Sequence, residues 1–137
     1  MKNETTYQTV LGRLIAQKRK EKKIDQEEMA RRVGVSRSTW SRIEAGSSAL
    51  NMDQLAKAAS ALGIPLGKLM LEVDDVVREL RRQNVEVHDS RDQAKSAPFG
   101  AIEGTTRPSL AGPVAFLGGA VLGGIIATLL AERKKDD

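Results

Sequence analysis

The sequence predicts an all-α protein with a five-helix N-terminal domain, a flexible linker and a single apolar helix near the C-terminus. Over residues 8–83, apolar side chains recur at helical spacing between capping residues and glycines. Aromatic residues make up only 3% of the 137 residues, so the core must be small and aliphatic. The 23 residues of segment 109–131 carry no charge, which sets that segment apart from the rest of the chain.

The first two helices are predicted from apolar spacing and from helix-end signals. Apolar side chains from Val10 to Ile15 lie on one face of a helix over residues 9–23, which ends in a basic run that suits the helix dipole. Asp25 followed by Glu28 resembles a capping box and predicts the start of helix 2. Gly34 predicts its end, so this helix is only about two turns long.

The third and fourth helices have similar end signals. Ser36 is suited to cap helix 3, with Trp40 and Ile43 on its inward face and a glycine after it. Asn51 with Gln54 repeats the capping pattern before helix 4. These signals place a short polar helix between two apolar ones.

Helix 5 is predicted to begin at Pro65 and to extend through residues 71–83. Its apolar residues alternate three and four positions apart, like two heptads of a coiled coil: Leu66, Leu69, Val73, Val76 and Leu80. Two interpretations remain open at this point. Either the extension supplies a dimer seam, or Leu66 and Leu69 complete the core of the domain and the rest is an amphipathic extension.

Residues 84–108 lose this periodicity and collect serine, glycine, proline and mixed charge, so we expect a flexible linker there. The chain has no cysteine and one histidine, His88, so neither a metal site nor thiol chemistry is expected. No secretory signal is recognisable at the N-terminus. The net charge is +4, and residues 1–64 hold 12 Lys/Arg against 7 Asp/Glu, which favours a phosphate-bearing partner.

Residues 11–69 resemble the helix-turn-helix DNA-binding domains of the phage-repressor type (Cro/CI, or XRE). The resemblance lies in QEEMARRVGVSRSTWSRIEAG and in LNMDQLAKAASALGIPLGKL. It implies a domain over residues 8–70 whose third helix enters the major groove of double-stranded DNA, because that groove is wide enough for one helix with its side chains.

The resemblance also implies roles for particular residues. Arg37, Ser38 and Arg42 correspond to residues that reach base edges, and the two arginines suit bidentate bonds to guanine. Gln26 matches a position that contacts backbone phosphate. The DNA-binding residues expected in full are Gln26, Ser36, Arg37, Ser38, Thr39, Ser41 and Arg42.

Arg19 and Glu44 match a pair that forms an internal salt bridge between helix 1 and the end of helix 3, so their implied role is structural. The sequence has no phosphate-binding glycine loop and no nucleophile with a base partner. We therefore expect a protein that is not an enzyme and uses no cofactor.

Segment 109–131 is predicted to be a transmembrane helix, followed by a polar tail at 132–137. The alternatives are a Gly/Ala-rich association segment or a loosely ordered tail, in which case the protein is soluble in the cytoplasm. From Pro113 to Ala131 a helix would be about 28 Å long, close to the thickness of a hydrocarbon core. The ten strongly apolar side chains of segment 109–131 favour its insertion into a bilayer by about 3 to 6 kcal/mol. Small residues four apart form a stripe suited to helix packing: Ala115, Gly119, Gly123 and Ala127.

Together these features predict a transcriptional repressor that is anchored to the cytoplasmic membrane and binds a palindromic operator as a dimer. One alternative is a membrane-anchored adaptor resembling the RodZ family, in which a similar domain engages a cytoskeletal filament instead of DNA. Another is a small membrane-active protein that assembles through the glycine stripe. Lys/Arg counts on the two sides of segment 109–131 are equal, so charge does not decide its orientation.

Overall fold

The computed structural model describes residues 3–89 and 122–136. Eight elements follow one another along these two ranges: β1 (Asn3–Thr6), α1 (Tyr7–Glu21), α2 (Gln26–Val33), α3 (Arg37–Glu44), α4 (Met52–Ala61), α5 (Leu66–Arg82), β2 (Val85–His88) and α6 (Leu122–Asp136). The first five helices lie close to their predicted positions. They surround one core that includes side chains from all of them.

The helix ends are fixed by the capping residues that the sequence indicated. The Asp25 carboxylate accepts a 2.8 Å bond from the Glu28 backbone N–H at the start of α2. At α4, Asn51 and Gln54 form a full capping box, with bonds of 2.8 and 3.0 Å in the two directions. Gly34 ends α2 at a φ of 85°, a left-handed conformation that glycine adopts without steric cost.

The core is aliphatic with one large aromatic residue at its centre. Trp40 is fully buried, as its inward position in the sequence pattern predicted. Val10, Ile15 and Met29 are likewise inaccessible to solvent, and they come from the two helices that precede the turn at Gly34. Burial of side chains of this size stabilises the fold by about 1.5 to 3 kcal/mol each.

A two-stranded parallel sheet joins the two ends of the N-terminal domain. β1 pairs with β2 in the register Asn3↔Val85 to Thr6↔His88, and Val85 and Val87 are buried. The expectation of a flexible linker from residue 84 onward is therefore wrong for β2. The local sequence does not predict this strand, because its pairing partner is four residues long and lies about eighty positions earlier in the chain. Residues 90–108 of the expected linker lie outside the described part of the chain.

α5 is one continuous helix, and its heptad positions face the interior of the same chain. Leu69, Val73, Val76 and Leu80 are all at most 2% exposed. They pack against α1, α4, β2 and α6. The apolar seam is thus occupied within the chain, and the expected boundary between a domain at 8–70 and an extension at 71–83 does not correspond to a break in the helix.

α6 lies against α1 and α5. Its residues Ile125 and Ile126 are buried, and Leu129 and Leu130 are half-buried. The helix continues to Asp136, so it extends beyond the expected end at Ala131 into the polar tail. Within residues 3–89 and 122–136, none of the helices has the length and apolar character needed to span a bilayer. Residues 109–121 of the predicted span lie outside those ranges.

Candidate nucleic-acid interface

α3 has one face turned into the core and one turned to solvent. Trp40, Ile43 and Glu44 are buried and hold the helix against its neighbours. The opposite face is exposed, and it consists of Arg37, Ser38, Ser41 and Arg42. The structure therefore brings the predicted base-reading residues together on one accessible surface.

Ser36 and Thr39 shape the start of α3. The Ser36 hydroxyl accepts a 3.1 Å bond from the Thr39 backbone N–H and donates a 2.9 Å bond to the Thr39 hydroxyl. It also lies 3.2 Å from the Ser38 hydroxyl. This cap satisfies a free N–H group of the first turn. Thr39 is half-buried, so it is less accessible than the two serines at positions 38 and 41.

A buried polar network fixes α3 to the rest of the domain. The guanidinium of Arg19 donates from Nε to Glu44 Oε1, and from Nη2 to Glu44 Oε2 at 3.2 Å. The Trp40 indole donates to Glu44 Oε1 at 2.7 Å. Arg19 also donates to the Ile24 carbonyl at 2.7 Å. The two charges are nearly inaccessible to solvent, but each has several partners, which offsets the cost of burying them.

Gln26 belongs to this same network. Its side-chain Nε2 donates to Glu44 Oε2 at 2.8 Å, and the residue is half-buried at the first position of α2. Glu44 thus joins the end of α3 to the beginning of α2. The positive end of the α2 dipole consequently has a fixed place relative to the exposed face of α3.

Two close approaches between backbones were not anticipated from the sequence. A Cβ added to Gly12 of α1 would lie 2.2 Å from the Ile43 carbonyl oxygen, so only glycine allows α1 to approach the end of α3 this closely. Gly46 has a φ of 78°, and an added Cβ there would lie 2.5 Å from the Thr9 hydroxyl. A glycine inside the apolar stretch of helix 1 was the available signal for the first contact.

The arginines of α2 are paired with a carboxylate of their own helix. Glu28 accepts bonds of 2.6 and 2.9 Å from Arg31 and one of 2.8 Å from Arg32. Hydrogen bonds from Arg31 and then Arg32 lower the pKa of Glu28 from its ordinary 4.5 to about 2, and the bonds to Glu28 raise the pKa of Arg31. These positive charges are partly compensated, whereas the charged side chains on the exposed face of α3 are both arginines, Arg37 and Arg42.

The residues predicted for helix packing in a membrane are only partly described. Ala115 and Gly119 lie outside the described residues, and Gly123 lies in the first turn of α6. Ala127 is exposed, on the side of α6 that faces away from α1 and α5.

These features define a helix-turn-helix domain: α2 and α3 are joined by a tight turn, and α3 presents a polar, basic outer face. A family model described as Helix-turn-helix matches residues 15–69, from the middle of α1 into the first turn of α5. The chain thus contains a helix-turn-helix domain of the XRE type over these residues. The resemblance inferred from the sequence is confirmed for that segment.

Two solved structures of the clp gene regulator ClgR from Corynebacterium glutamicum are similar to this chain. The first has 21% sequence identity and a TM-score of 0.54, and the match covers 69% of this chain and 94% of that one. The second has 25% identity and a TM-score of 0.47, with 50% and 90% of the two chains covered. The first of these likenesses shows that the fold is shared. The comparison with curated proteins gave no match.

Proposed function

We propose that this protein is a sequence-specific transcription regulator, and in particular a repressor, which reads double-stranded DNA with α3. The observation that carries the proposal is the division of α3 into two faces. Its inner face is fixed by Trp40, Ile43 and Glu44, and its outer face presents Arg37 and Arg42 to solvent. A helix that is already held rigidly loses little conformational entropy when it enters a groove of DNA.

Arg37 and Arg42 are the residues we assign to base recognition. A guanidinium matches the O6 and N7 acceptors of guanine with two parallel bonds, each good pair contributing about 1 to 3 kcal/mol of discrimination. Ser38 and Ser41 lie on the same exposed face, and their short hydroxyls suit contacts to nearby bases or phosphates. The hydroxyl of Ser36 lies at the N-terminus of α3, where the free N–H groups favour a phosphate.

Gln26 is assigned to the DNA backbone together with the N-terminus of α2. Its bond to Glu44 supports this role, since the bond keeps the start of α2 beside α3. Contacts of this kind position a protein on DNA and carry no sequence information. Removing them should weaken binding to all sequences about equally.

The regulator is proposed to bind a palindromic operator as a dimer, with half-sites about 10 bp apart between centres. The heptad residues of α5 are buried within the chain, so the dimer must use another surface. The outer side of α5 carries Leu71, which is 63% exposed and is a candidate for that contact.

The regulator is also proposed to be tethered to the cytoplasmic membrane through segment 109–131. Support for the tether is the absence of charge over those 23 residues. Fractionation of the full-length protein beside a form that ends at Pro108 tests it. Recovery of both forms in the soluble fraction without detergent would rule the tether out and leave the DNA-binding proposal intact.

A gel shift on DNA selected from a random pool tests the readers. The double variant Arg37→Ala/Arg42→Ala should lose specific binding by at least about tenfold, because two bidentate contacts are removed. The matched control is Arg78→Ala/Arg82→Ala, which removes the same charge from two exposed positions of α5. It should retain most of the binding. Equal binding by the two double variants would exclude α3 as the reading helix.

A further inference from the structure

α6 lies in a groove that the helix-turn-helix domain forms between α1 and α5. The groove is lined by Leu14, Glu72, Asp75 and Val76. α6 places Ile126 against this lining, and only 1% of Ile126 remains exposed. Leu129 and Leu130 border the same groove. The contact is therefore made by the large apolar side chains of α6.

The groove beneath α6 is lined by apolar side chains and by a buried carboxylate, which α6 covers. Leu14 and Val76 are at most 2% exposed, and both line the groove together with side chains of α6. Glu72 is also buried, and its carboxylate lies 2.5 Å from the Lys18 ammonium. Removal of α6 would expose apolar surface and bring water to this ion pair.

The side chains that fill the groove also belong to the charge-free segment proposed as the tether. Ile125, Ile126, Leu129 and Leu130 are four of its strongly apolar residues. In a membrane span these side chains would face lipid or another helix, so one molecule cannot have them in the bilayer and in the groove together. The free energy gained by burying the two isoleucines in the domain is similar in magnitude to the free energy gained by inserting the segment into lipid.

We propose that a phospholipid bilayer and the groove between α1 and α5 compete for residues 122–131. This inference rests on the proposed tether, and it adds that the membrane-bound form has an empty groove. The apolar groove and the Glu72 carboxylate that lines it then become more accessible when the protein is at the membrane. The location of the protein is in this way coupled to the packing of α6 against α1 and α5.

Flotation of the full-length protein with vesicles of pure phosphatidylcholine tests the competition. Uncharged vesicles are used because anionic lipid would attract the basic domain whatever α6 does. Val76→Ala removes apolar surface from the groove and so weakens the docking of α6, but it does not alter segment 109–131. It should therefore raise the ratio of vesicle-bound to free protein roughly three- to tenfold. Val33→Ala is the matched control, since Val33 is equally buried but lies in α2. It should behave like the wild type.

A second variant and a second readout follow the groove itself. Ala127→Lys adds a charge on the exposed side of α6, so α6 should remain docked while flotation is lost. The chain has no cysteine, so Asp75→Cys introduces a single thiol at the edge of the groove. Vesicles should accelerate maleimide labelling of that thiol several-fold, and should not do so when Ala127→Lys is also present.

Three results would overturn the proposal. They are equal flotation of Val76→Ala and Val33→Ala, labelling at position 75 that vesicles do not change, and failure of the wild type and Val76→Ala to float. The last of these also excludes the tether, whereas the first two leave the tether standing and exclude the competition alone. The gel shift of the wild type reports on DNA binding separately from all three.

Discussion

Two neighbouring residues of α1 hold two different parts of the molecule. Arg19 is buried and reaches Glu44 at the end of α3, within a network that includes Trp40 and Gln26. Lys18 pairs with the buried Glu72 carboxylate of α5 at 2.5 Å, and its side chain is 12% exposed. Glu72 lines the groove that α6 occupies. One basic residue therefore fixes the candidate DNA-binding helix, and the other pairs with a residue of α5 that lines the groove of the C-terminal helix.

The difference between them lies in how completely each charge is satisfied. The Arg19 guanidinium has a fork of donors that are met by fixed acceptors, so it holds a precise geometry. The Lys18 ammonium ends a flexible stem and can turn toward water if its partner moves. We conclude that the α1–α3 contact is built for rigidity, whereas the α1–α5 contact under α6 tolerates change.

The largest expected effect comes from breaking the more rigid of the two contacts. Glu44→Ala leaves a buried guanidinium and the Trp40 indole without their acceptor, and should cost about 3 to 5 kcal/mol of unfolding free energy. Glu72→Ala should cost about 1 kcal/mol, since Lys18 can reach solvent. Urea denaturation followed by circular dichroism measures both. Equal losses of unfolding free energy for the two variants would show that the α1–α3 contact is no more rigid than the α1–α5 contact.

A somewhat smaller effect is expected from the backbone contact beside Arg19. In Gly12→Ala the new methyl group would overlap the Ile43 carbonyl, and the shift of α1 should cost about 3 kcal/mol. Gly67→Ala is the control, because nothing lies within 4 Å of a Cβ at that helical position. It should leave stability unchanged or raise it by up to about 1 kcal/mol. A Gly12→Ala protein as stable as the wild type would show that α1 can retreat from α3 without cost.

The contact beneath α6 is tested by Ile126→Ala. Loss of this buried side chain should weaken docking of α6 by about 2 kcal/mol. Amide hydrogen exchange should then be faster in α6 and unchanged in α3. Thr128→Ala, at an exposed position of the same helix, serves as the control. Faster exchange in α3 to the same extent would mean that the two contacts of α1 are not independent.

The smallest effect concerns the carboxylate of Glu28, in the first turn of α2. The folded-state pKa of Glu28 is lowered to about 2, so its bonds to Arg31 and Arg32 stabilise the domain above pH 4.5. That contribution should disappear as the pH falls from about 4.5 to about 2. Glu28→Gln should therefore reduce the pH dependence of the denaturation midpoint in this range, by a small amount because the group is exposed. Glu27→Gln, one position earlier, is the control.

The same comparison shows which features the sequence could predict. The helices of the domain were predictable because their ends are marked by local signals such as Asp25 and Asn51, and Trp40 because its neighbours define an inward face. The Arg19–Glu44 pair was implied by the resemblance, and the structure places the two side chains in contact. The assignments of Arg37, Arg42 and Gln26 to DNA remain predictions.

The features that were not predicted depend on contacts between distant parts of the chain. The strands β1 and β2 are four residues each and have meaning only as a pair. The docking of Ile126 joins positions more than a hundred residues apart in sequence, at Leu14 of α1. Apolar spacing along a helix indicates that one side is buried, but it does not identify the partner. For that reason the heptad of α5 left a dimer seam and an amphipathic extension of the domain open as interpretations, and the structure buries its residues within the chain.

The parallel sheet has a practical consequence for labelling. Parallel pairing places Asn3 beside Val85 and Thr6 beside His88, so the chain enters the sheet at one end and leaves it at the other. Three residue steps along a strand separate these ends by about 10 Å. A fluorophore attached at Asn3 would consequently lie at the opposite end of the sheet from His88, where the chain leaves β2. Labels at Asn3 and at His88 would therefore report on opposite ends of the sheet.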